Sequence, residues 1–482
     1  MYLKAVASLF TVALFHLHEV PTVLADGLDG RRPNILFILT DDQGYGDVSA
    51  NGSPILKTPN LDKLHARSRR FTEFMVSPTC SPTRSSLMTG RHEFRNGVTH
   101  TINERERLTL DATTLPQVLK RSGYETGIFG KWHLGDEAEY QPNRRGFDEV
   151  FIHGAGGIGQ SYPGSCGDAP GNSYFNPVIL HNGVFEKTDG YCTDVFFKQA
   201  KLWIESKGNS PTSPWFCWIA TNAPHAPYNA RPEDKAKYEN LGLKKETESF
   251  YGMVHNIDEN VGKLLSFLED RKVADNTLVI MMNDNGGTAG VSVFNDNMHG
   301  AKGTAWRGGT RAFSFWSWPK VIQSGDCNAL TSAIDVFKTL SEIAGVELTK
   351  TEFAQAEGRS LLPLLKDPKA IWPDRELIAH VGRWDKGASP ESCKYRNCSI
   401  RNSQYSLVSI KGDSNPAWQL FDLMKDPSQT NNIAIEQPDV VLKLSHSFDV
   451  WWESVQPHLV NEDVPLAAKN PFKELYDKQF SK

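Results

Sequence analysis

Four short apolar runs in this chain each lead straight into residues able to bind a cation, steady an anion or move a proton. Ile35-Leu36-Phe37-Ile38-Leu39 runs into Thr40-Asp41-Asp42, and Leu278-Val279-Ile280-Met281-Met282 runs into Asn283-Asp284-Asn285-Gly286. Asp41, Asp42, Asp284 and Asn285 offer only hard oxygen donors, which suit Ca2+ or, second, Mg2+ rather than zinc with its preference for nitrogen and sulfur. Carboxylates crowded together repel, and a divalent cation is the natural remedy. One such cluster alone is more often a solvated turn or a helix cap. Two of them at the ends of two runs are harder to dismiss.

The other two runs carry cations and imidazoles. Thr126-Gly127-Ile128-Phe129 leads into Gly130-Lys131-Trp132-His133, and Trp215-Phe216-Cys217-Trp218-Ile219-Ala220 is followed by Asn222-Ala223-Pro224-His225. Lys302 falls in the glycine-rich turn His299-Gly300-Ala301-Lys302-Gly303. Two lysines would neutralise a bound anion, and two histidines exchange protons near neutral pH. Taken singly, each has a plainer reading as a surface lysine or a satisfied core histidine. Cys80 opens the pentapeptide Cys80-Ser81-Pro82-Thr83-Arg84. Proline favours the first turn of a helix, with Ser81 as N-cap and Thr83 to Met88 running on as helix. The positive end of that helix would face Cys80, a ready place for a sulfate or phosphate group. Arg84 falls within the first two turns, in reach of the residue-80 side chain. A lone cysteine is ordinarily a small buried hydrophobe; the Pro and Arg spacing argues otherwise here.

Short, nearly continuous apolar runs fit strands buried on both faces, as in a parallel sheet. Helical signals lie between them: Leu115, Val118 and Leu119 before Gly123, and Phe250, Met253, Val254, Ile257, Val261, Leu264, Leu265 and Leu268 at helical spacing. Alternation of strand and helix predicts an α/β fold with helices on both faces, and in such sheets ligands bind beyond the carboxyl ends of the strands. The polar residues named above would therefore converge. Lys366-Asp367-Pro368-Lys369 reads as a linker to a smaller C-terminal domain of α+β type, with a strand at Tyr405 to Ile410. The expected division is 1–25 as a signal peptide, 26–372 as the catalytic domain and 373–482 as the smaller one.

A net charge of -5 without any long basic block argues against a polyanion-binding surface, and nucleic acid is not an expected partner. Lys4, the apolar stretch Ala5 to Phe15 and Val23-Leu24-Ala25 read as a secretory signal cleaved after Ala25. The run is shorter than the roughly 20 residues that span a bilayer, so a secreted or periplasmic protein without a stable membrane anchor is expected. Seven cysteines are an odd number for such a protein. With Cys80 set aside, Cys166 with Cys192 and Cys393 with Cys398 are near enough in sequence to pair, while Cys217 reads as a buried thiol.

The pentapeptide from Cys80 to Arg84 resembles the Cys-x-Pro-x-Arg signature of the type I sulfatases, members of the alkaline phosphatase superfamily. The resemblance extends from Asn34 to about Ala434 and includes Leu39 to Asp42, Cys80 to Arg91, Gly130 to Gly135, Asn283 to Gly286 and the late Leu420-Phe421-Asp422-Leu423. It implies an alkaline-phosphatase-like, mostly parallel sheet flanked by helices, followed by a smaller domain with an antiparallel sheet. It also implies that a formylglycine-generating enzyme oxidises Cys80, and that Asp41, Asp42, Asp284, Asn285 and the modified residue 80 hold one calcium ion. The hydrated aldehyde would attack sulfur while Arg84 holds it and Lys131 and Lys302 steady the sulfate. His225 and Lys302 would assist departure of the alcohol, and His133 would take the proton that lets sulfate leave. The implied substrate is a sulfated carbohydrate or an aryl sulfate ester.

Three positions depart from the common pattern of that family. Many relatives have Arg where this chain has His299 and Glu where it has Arg307, and their Asp-x-x-Pro-Thr is here Asp335-Val336-Phe337-Lys338-Thr339. The first two lie near Lys302 in sequence, which makes His299 a candidate substrate contact. A further polar residue that some relatives supply after Gly146-Phe147 has no clear counterpart. Two rival readings stand beside the sulfatase one. The first is a phosphate or phosphonate ester hydrolase of the same superfamily, and the second is a non-catalytic binder of sulfated glycans.

Overall fold

The computed structural model describes residues 28–208 and 213–480. The expected signal sequence at 1–25 lies outside them. Its centre is a ten-stranded sheet. Five parallel strands form the middle, in the spatial order Thr277–Asn283, Asn34–Thr40, Trp215–Ala220, Glu125–Lys131 and Glu149–His153. The four apolar runs read from the sequence are four of these. Their continuity has the expected cause: Ile35, Phe37 and Leu39 face one core with Leu115, Leu119, Val336 and Leu340, and Leu36 and Ile38 face the other with Phe196, Met253, Ile257 and Leu264. All of these side chains are fully buried. Helices Leu115–Arg121 and Asp335–Ile343 cover the first face, and Cys192–Ser206 and Lys245–Asp270 the second.

The sheet edges are shorter and mixed. Ser314–Ser317 runs antiparallel to Thr277–Asn283, and Phe313, Phe315, Trp316 and Trp318 are buried in the cores. At the other edge, Val178–His181 and Val184–Lys187 form a hairpin. Its two turn residues, Asn182 and Gly183, both take positive φ, as a tight hairpin turn requires.

The chain then builds a separate four-stranded antiparallel sheet from Leu377–His380, Cys398–Arg401, Tyr405–Ser409 and Gln419–Asp422. Helix Pro438–Val455 closes its core with Leu444, Phe448 and Trp452. The last helix, Pro471–Phe480, returns to the large sheet: Phe472 joins the first core, and the Gln479 amide donates to and accepts from the Phe185 backbone. Among the described residues no helix is long and apolar enough to cross a membrane.

Two local expectations are corrected. The helix that carries the pentapeptide begins at Cys80 itself, with Thr79 at the N-cap and Ser81 inside the first turn. Thr83 explains the earlier start: its hydroxyl accepts from the Ser77 amide at 3.0 Å, which draws residues 77–79 against the first turn. All seven cysteines are unpaired thiols, and every one is buried. Cys166 lies against Glu106, whereas Cys192 opens a helix and packs in the second core, so that pair does not meet. Cys393 and Cys398 share the small core as separate thiols.

Candidate active site

Every strand of the parallel centre delivers a polar residue at its carboxyl end, on one side of the sheet. Thr40 is followed by Asp41 and Asp42, Asn283 by Asp284 and Asn285, and Lys131 ends its own strand two residues before His133. Ala220 leads into the loop that holds His225. Asp42 and His133 sit at φ 65 and 60, a left-handed conformation that non-glycine residues seldom take and that recurs at functional sites. Helix Cys80–Thr89, buried along its whole length, points its amino end at the same place.

These residues interlock. Lys131 Nζ donates to Asp41 Oδ2 at 2.6 Å, and Lys302 Nζ to Asp42 Oδ1 at 2.5 Å. Arg84 donates to Asp284 Oδ2 at 2.7 Å and stands 3.8 Å from Asp41. Asn285 Nδ2 donates to Asp42 Oδ1 at 3.0 Å, and His225 Nε2 lies 3.7 Å from Asp42 Oδ2. Arg84, then, is anchored on Asp284 and Lys131 on Asp41, and the residues predicted for catalysis and metal binding lie in one cluster around Cys80.

Two carbonyls set the imidazoles. His133 Nε2 lies 2.8 Å from Thr101 O, and His225 Nδ1 lies 2.6 Å from Ala226 O. A carbonyl accepts only, so each of those nitrogens carries the proton, and the lone pair falls on His133 Nδ1 and His225 Nε2. His133 Nδ1 is buried without a partner. Burial and then the positive neighbour Lys131 hold His133 well below the usual histidine range. Burial also holds His225 down, to about 3, against the pull of Asp42 and with the help of Lys302 and Lys131. Both are therefore neutral proton acceptors. Burial opposes the Lys302 charge, but Asp42 and the other negative neighbours together outweigh it, so Lys302 is raised and stays an ammonium. Asp42 is lowered in turn: burial opposes this, but Lys302 and His225 prevail. Burial raises the Cys80 thiol to about 11 despite Lys131 and Lys302, so the unmodified thiol is a poor nucleophile.

The donor set fits a hard divalent cation. Asp41 Oδ1 and Asn285 Oδ1 are buried and unpartnered. One ligand atom each from Asp41, Cys80 and Asp284 lies within 4.8 Å of the others, and the same holds for Asp42, Cys80 and His225. Burial and the Asp41 charge push the Asp284 carboxyl up to about 6, ahead of the relief from Arg84 and Lys131. Such a carboxylate lacks enough positive charge around it.

Several participants were not found from the sequence. His153 pairs in register with Lys131 and is buried with both ring nitrogens unpartnered. Burial and the Lys131 charge keep it neutral. The loop after it presses on both imidazoles: a Cβ on Gly156 would come 2.9 Å from His133, and one on Gly157 2.8 Å from His225 Nδ1. Tyr174 Oη lies 2.6 Å from His225 O and accepts from Asn222 Nδ2, which fixes the histidine loop. His299 is exposed and stacked on Trp306 at 4.1 Å, at the rim rather than in the cluster. Arg307 points away, into an ion pair with Glu73.

Residues 33–346 match the family described as Sulfatase, and residues 309–448 that described as N-sulphoglucosamine sulphohydrolase, C-terminal. Arylsulfatase J of Mus musculus is 33% identical over 319 residues, which is 65% of this chain and 52% of that protein. N-acetylgalactosamine-6-sulfatase of Homo sapiens is 32% identical over 383 residues, 73% of this chain and 68% of that protein. The chain thus spans about half the length of the first relative and about two thirds of the second. Among solved structures, Ps i-CgsB in complex with k-i-k-neocarrahexaose superposes with a TM-score of 0.77 at 29% identity, covering 87% of this chain and 92% of that one.

Proposed function

Since this chain belongs to the sulfatase family, we propose that it hydrolyses the sulfate ester of a sulfated carbohydrate, or of an aryl sulfate, to the alcohol and sulfate. The observation that carries the proposal is Cys80 at the amino end of a buried helix, ringed by Arg84, Lys131, Lys302, His133 and His225. The carbohydrate class draws support from Ps i-CgsB, similar over most of both chains and solved with an oligosaccharide. Three buried carboxylates and three permanent cations balance within the cluster, so a divalent cation would add the positive charge that a sulfate monoanion needs.

In this proposal, oxidation of Cys80 to formylglycine supplies, on hydration, two hydroxyls on one carbon, one to bond sulfur and one to release it. Calcium, held by Asp41, Asp42, Asp284 and Asn285 beside residue 80, would draw charge from the sulfate oxygens. Arg84 orients the residue-80 side chain from its anchor on Asp284. Lys131 and Lys302 face the sulfate oxygens. Lys302, protonated where His225 is neutral, delivers the proton to the leaving alkoxide. As the new bond to sulfur forms and the ester S–O bond breaks, His225 Nε2, whose lone pair faces the site, takes the proton of the attacking hydroxyl and returns it to Lys302, its neighbour across Asp42. His133 Nδ1 accepts the proton whose removal lets sulfate leave.

We propose further that residues 26–372 carry the chemistry, that residues 373–482 form the smaller domain, and that residues 1–25 direct secretion. The test is mass spectrometry of the peptide bearing residue 80, from a formylglycine-competent host, followed by sulfate release from matched aryl sulfate and phosphate esters. The aldehyde or its hydrate together with a preference for the sulfate is expected. A thiol at residue 80 in fully active protein removes the nucleophile, and a preference for the phosphate ester moves the chain to the rival hydrolase class.

A further inference from the structure

The smaller domain contributes a cation beside Thr101, whose carbonyl orients His133. Its first strand, Leu377–His380, ends in Val381-Gly382-Arg383, and that segment is pressed onto residues 99–101. The Arg383 amide donates to Thr99 O at 3.2 Å, and a Cβ on Gly382 would come 1.8 Å from the same carbonyl. Gly382 and Arg383 both take positive φ, 66 and 45. At an arginine this conformation costs about 1–2 kcal/mol and persists only where the surroundings impose it. The guanidinium is then fixed: Nη2 donates to Thr101 Oγ1 at 3.0 Å, and Thr101 O is the carbonyl that accepts from His133 Nε2.

Arg383 nonetheless is exposed, and no carboxylate pairs with it among the described residues. The three cations inside the cluster differ in this respect, each being tied to an aspartate. Beside Arg383, His100 Nδ1 accepts from the amides of Thr101 and Ile102 at 2.8 and 3.2 Å, which leaves the ring proton on Nε2 as a second donor. Tyr162, about half exposed, lies within electrostatic range of both Arg383 and the residue-80 side chain. Asn103 and Glu104, at φ 65 and 62, complete a rim of constrained residues.

A cation held in place without a counter-charge, near a site built for sulfate, is organised for a second anion. We propose that Arg383, with His100 beside it, binds a second anionic group, sulfate or carboxylate, on a saccharide whose first sulfate ester occupies the cluster at Cys80. This rests on the hydrolytic reading above and narrows its substrate to saccharides with two anionic groups close together.

The test compares Arg383→Gln with the unaltered protein on an aryl monosulfate and on a disaccharide carrying two anionic groups. kcat/KM for the disaccharide should fall roughly tenfold, through KM, as expected for loss of one charge-assisted contact, with the aryl ester changed by less than about twofold. Equal losses on both substrates would mean that Arg383 merely supports Thr101 and His133, and no loss on either would mean that it binds nothing; each overturns the proposal. Binding of the same disaccharide to Cys80→Ala protein, measured by calorimetry, separates this from the hydrolytic reading. Affinity that drops roughly tenfold on adding Arg383→Gln upholds the anion site even in a protein that never releases sulfate, and unchanged affinity overturns the site even where hydrolysis is established.

Discussion

His133 and His225 are oriented by carbonyls through opposite nitrogens, Nε2 in one and Nδ1 in the other, and this decides which atom of each ring can act. Only the presence of the histidines was legible in the sequence. Their tautomers depend on Thr101 and Ala226, and nothing in the spacing pairs Thr101 with a residue 32 positions later. Three outcomes follow at this scale. Cys80→Ser, which has one hydroxyl where the hydrate has two, should form a sulfated serine in a single turnover and then stop, as seen by mass spectrometry of the residue-80 peptide. Sustained turnover by that variant would sink the two-hydroxyl mechanism. His133→Ala should slow sulfate release about 100- to 10,000-fold while the first, alcohol-releasing burst survives; loss of the burst as well would place His133 in the wrong half of the reaction. Chelation of divalent cations should abolish activity and calcium restore it, with metal analysis of the purified protein as an independent readout.

At the scale of elements, the strand ends were readable because buried parallel strands are uninterrupted apolar runs and their polar successors stand out. The strand Glu149–His153 was not, since its short Val150-Phe151-Ile152 core is followed by glycines rather than charge, and His153 resembles any core histidine. The glycines after it matter for the space they leave. Gly156 and Gly157 pass so near His133 and His225 that no side chain fits without moving an imidazole. Gly157→Ala should therefore lower kcat on the order of tenfold to a hundredfold, because displacements near an ångström have that effect on reacting groups. Its thermal midpoint should stay close to that of the unaltered protein. Unchanged kcat would show that the loop yields freely. The helix start at Cys80 rather than after Ser81 has a similar lesson: a proline in the first turn bounds the start to within a residue or two, and the Thr83 hydroxyl settles which.

Across the whole molecule, Glu73 ties the large sheet to the small one. It pairs with Arg307, with Arg311 at 3.6 Å and with Arg401 of the small sheet at 3.1 Å. Burial would raise its carboxyl, but the three arginine charges outweigh burial and lower it to about 2. A carboxyl lowered on folding contributes stability that is complete above its unfolded value near 4.5 and fades as pH falls from there toward 2. Glu73→Gln should then cost on the order of 2 kcal/mol at neutral pH, a partly exposed cluster being worth less than a fully buried one. The difference between the variant and the unaltered protein should shrink over that acid range, as read by denaturant titration at several pH values. An unchanged difference would assign Glu73 no electrostatic role. Arg307 departs from the family pattern in sequence, and its place in this cluster gives it a function in holding the two sheets together rather than in catalysis.

Cys80 is only 2% exposed, at the head of a helix whose ten residues are all buried. If residue 80 is oxidised to formylglycine as proposed, a modifying enzyme that required the pentapeptide in extended form would find none in the folded protein. The oxidation would then have a deadline: it would have to be finished before the chain closes around the pentapeptide. Molecules that missed that interval would keep a buried, inert thiol, and the active fraction of a preparation would record a race run during synthesis.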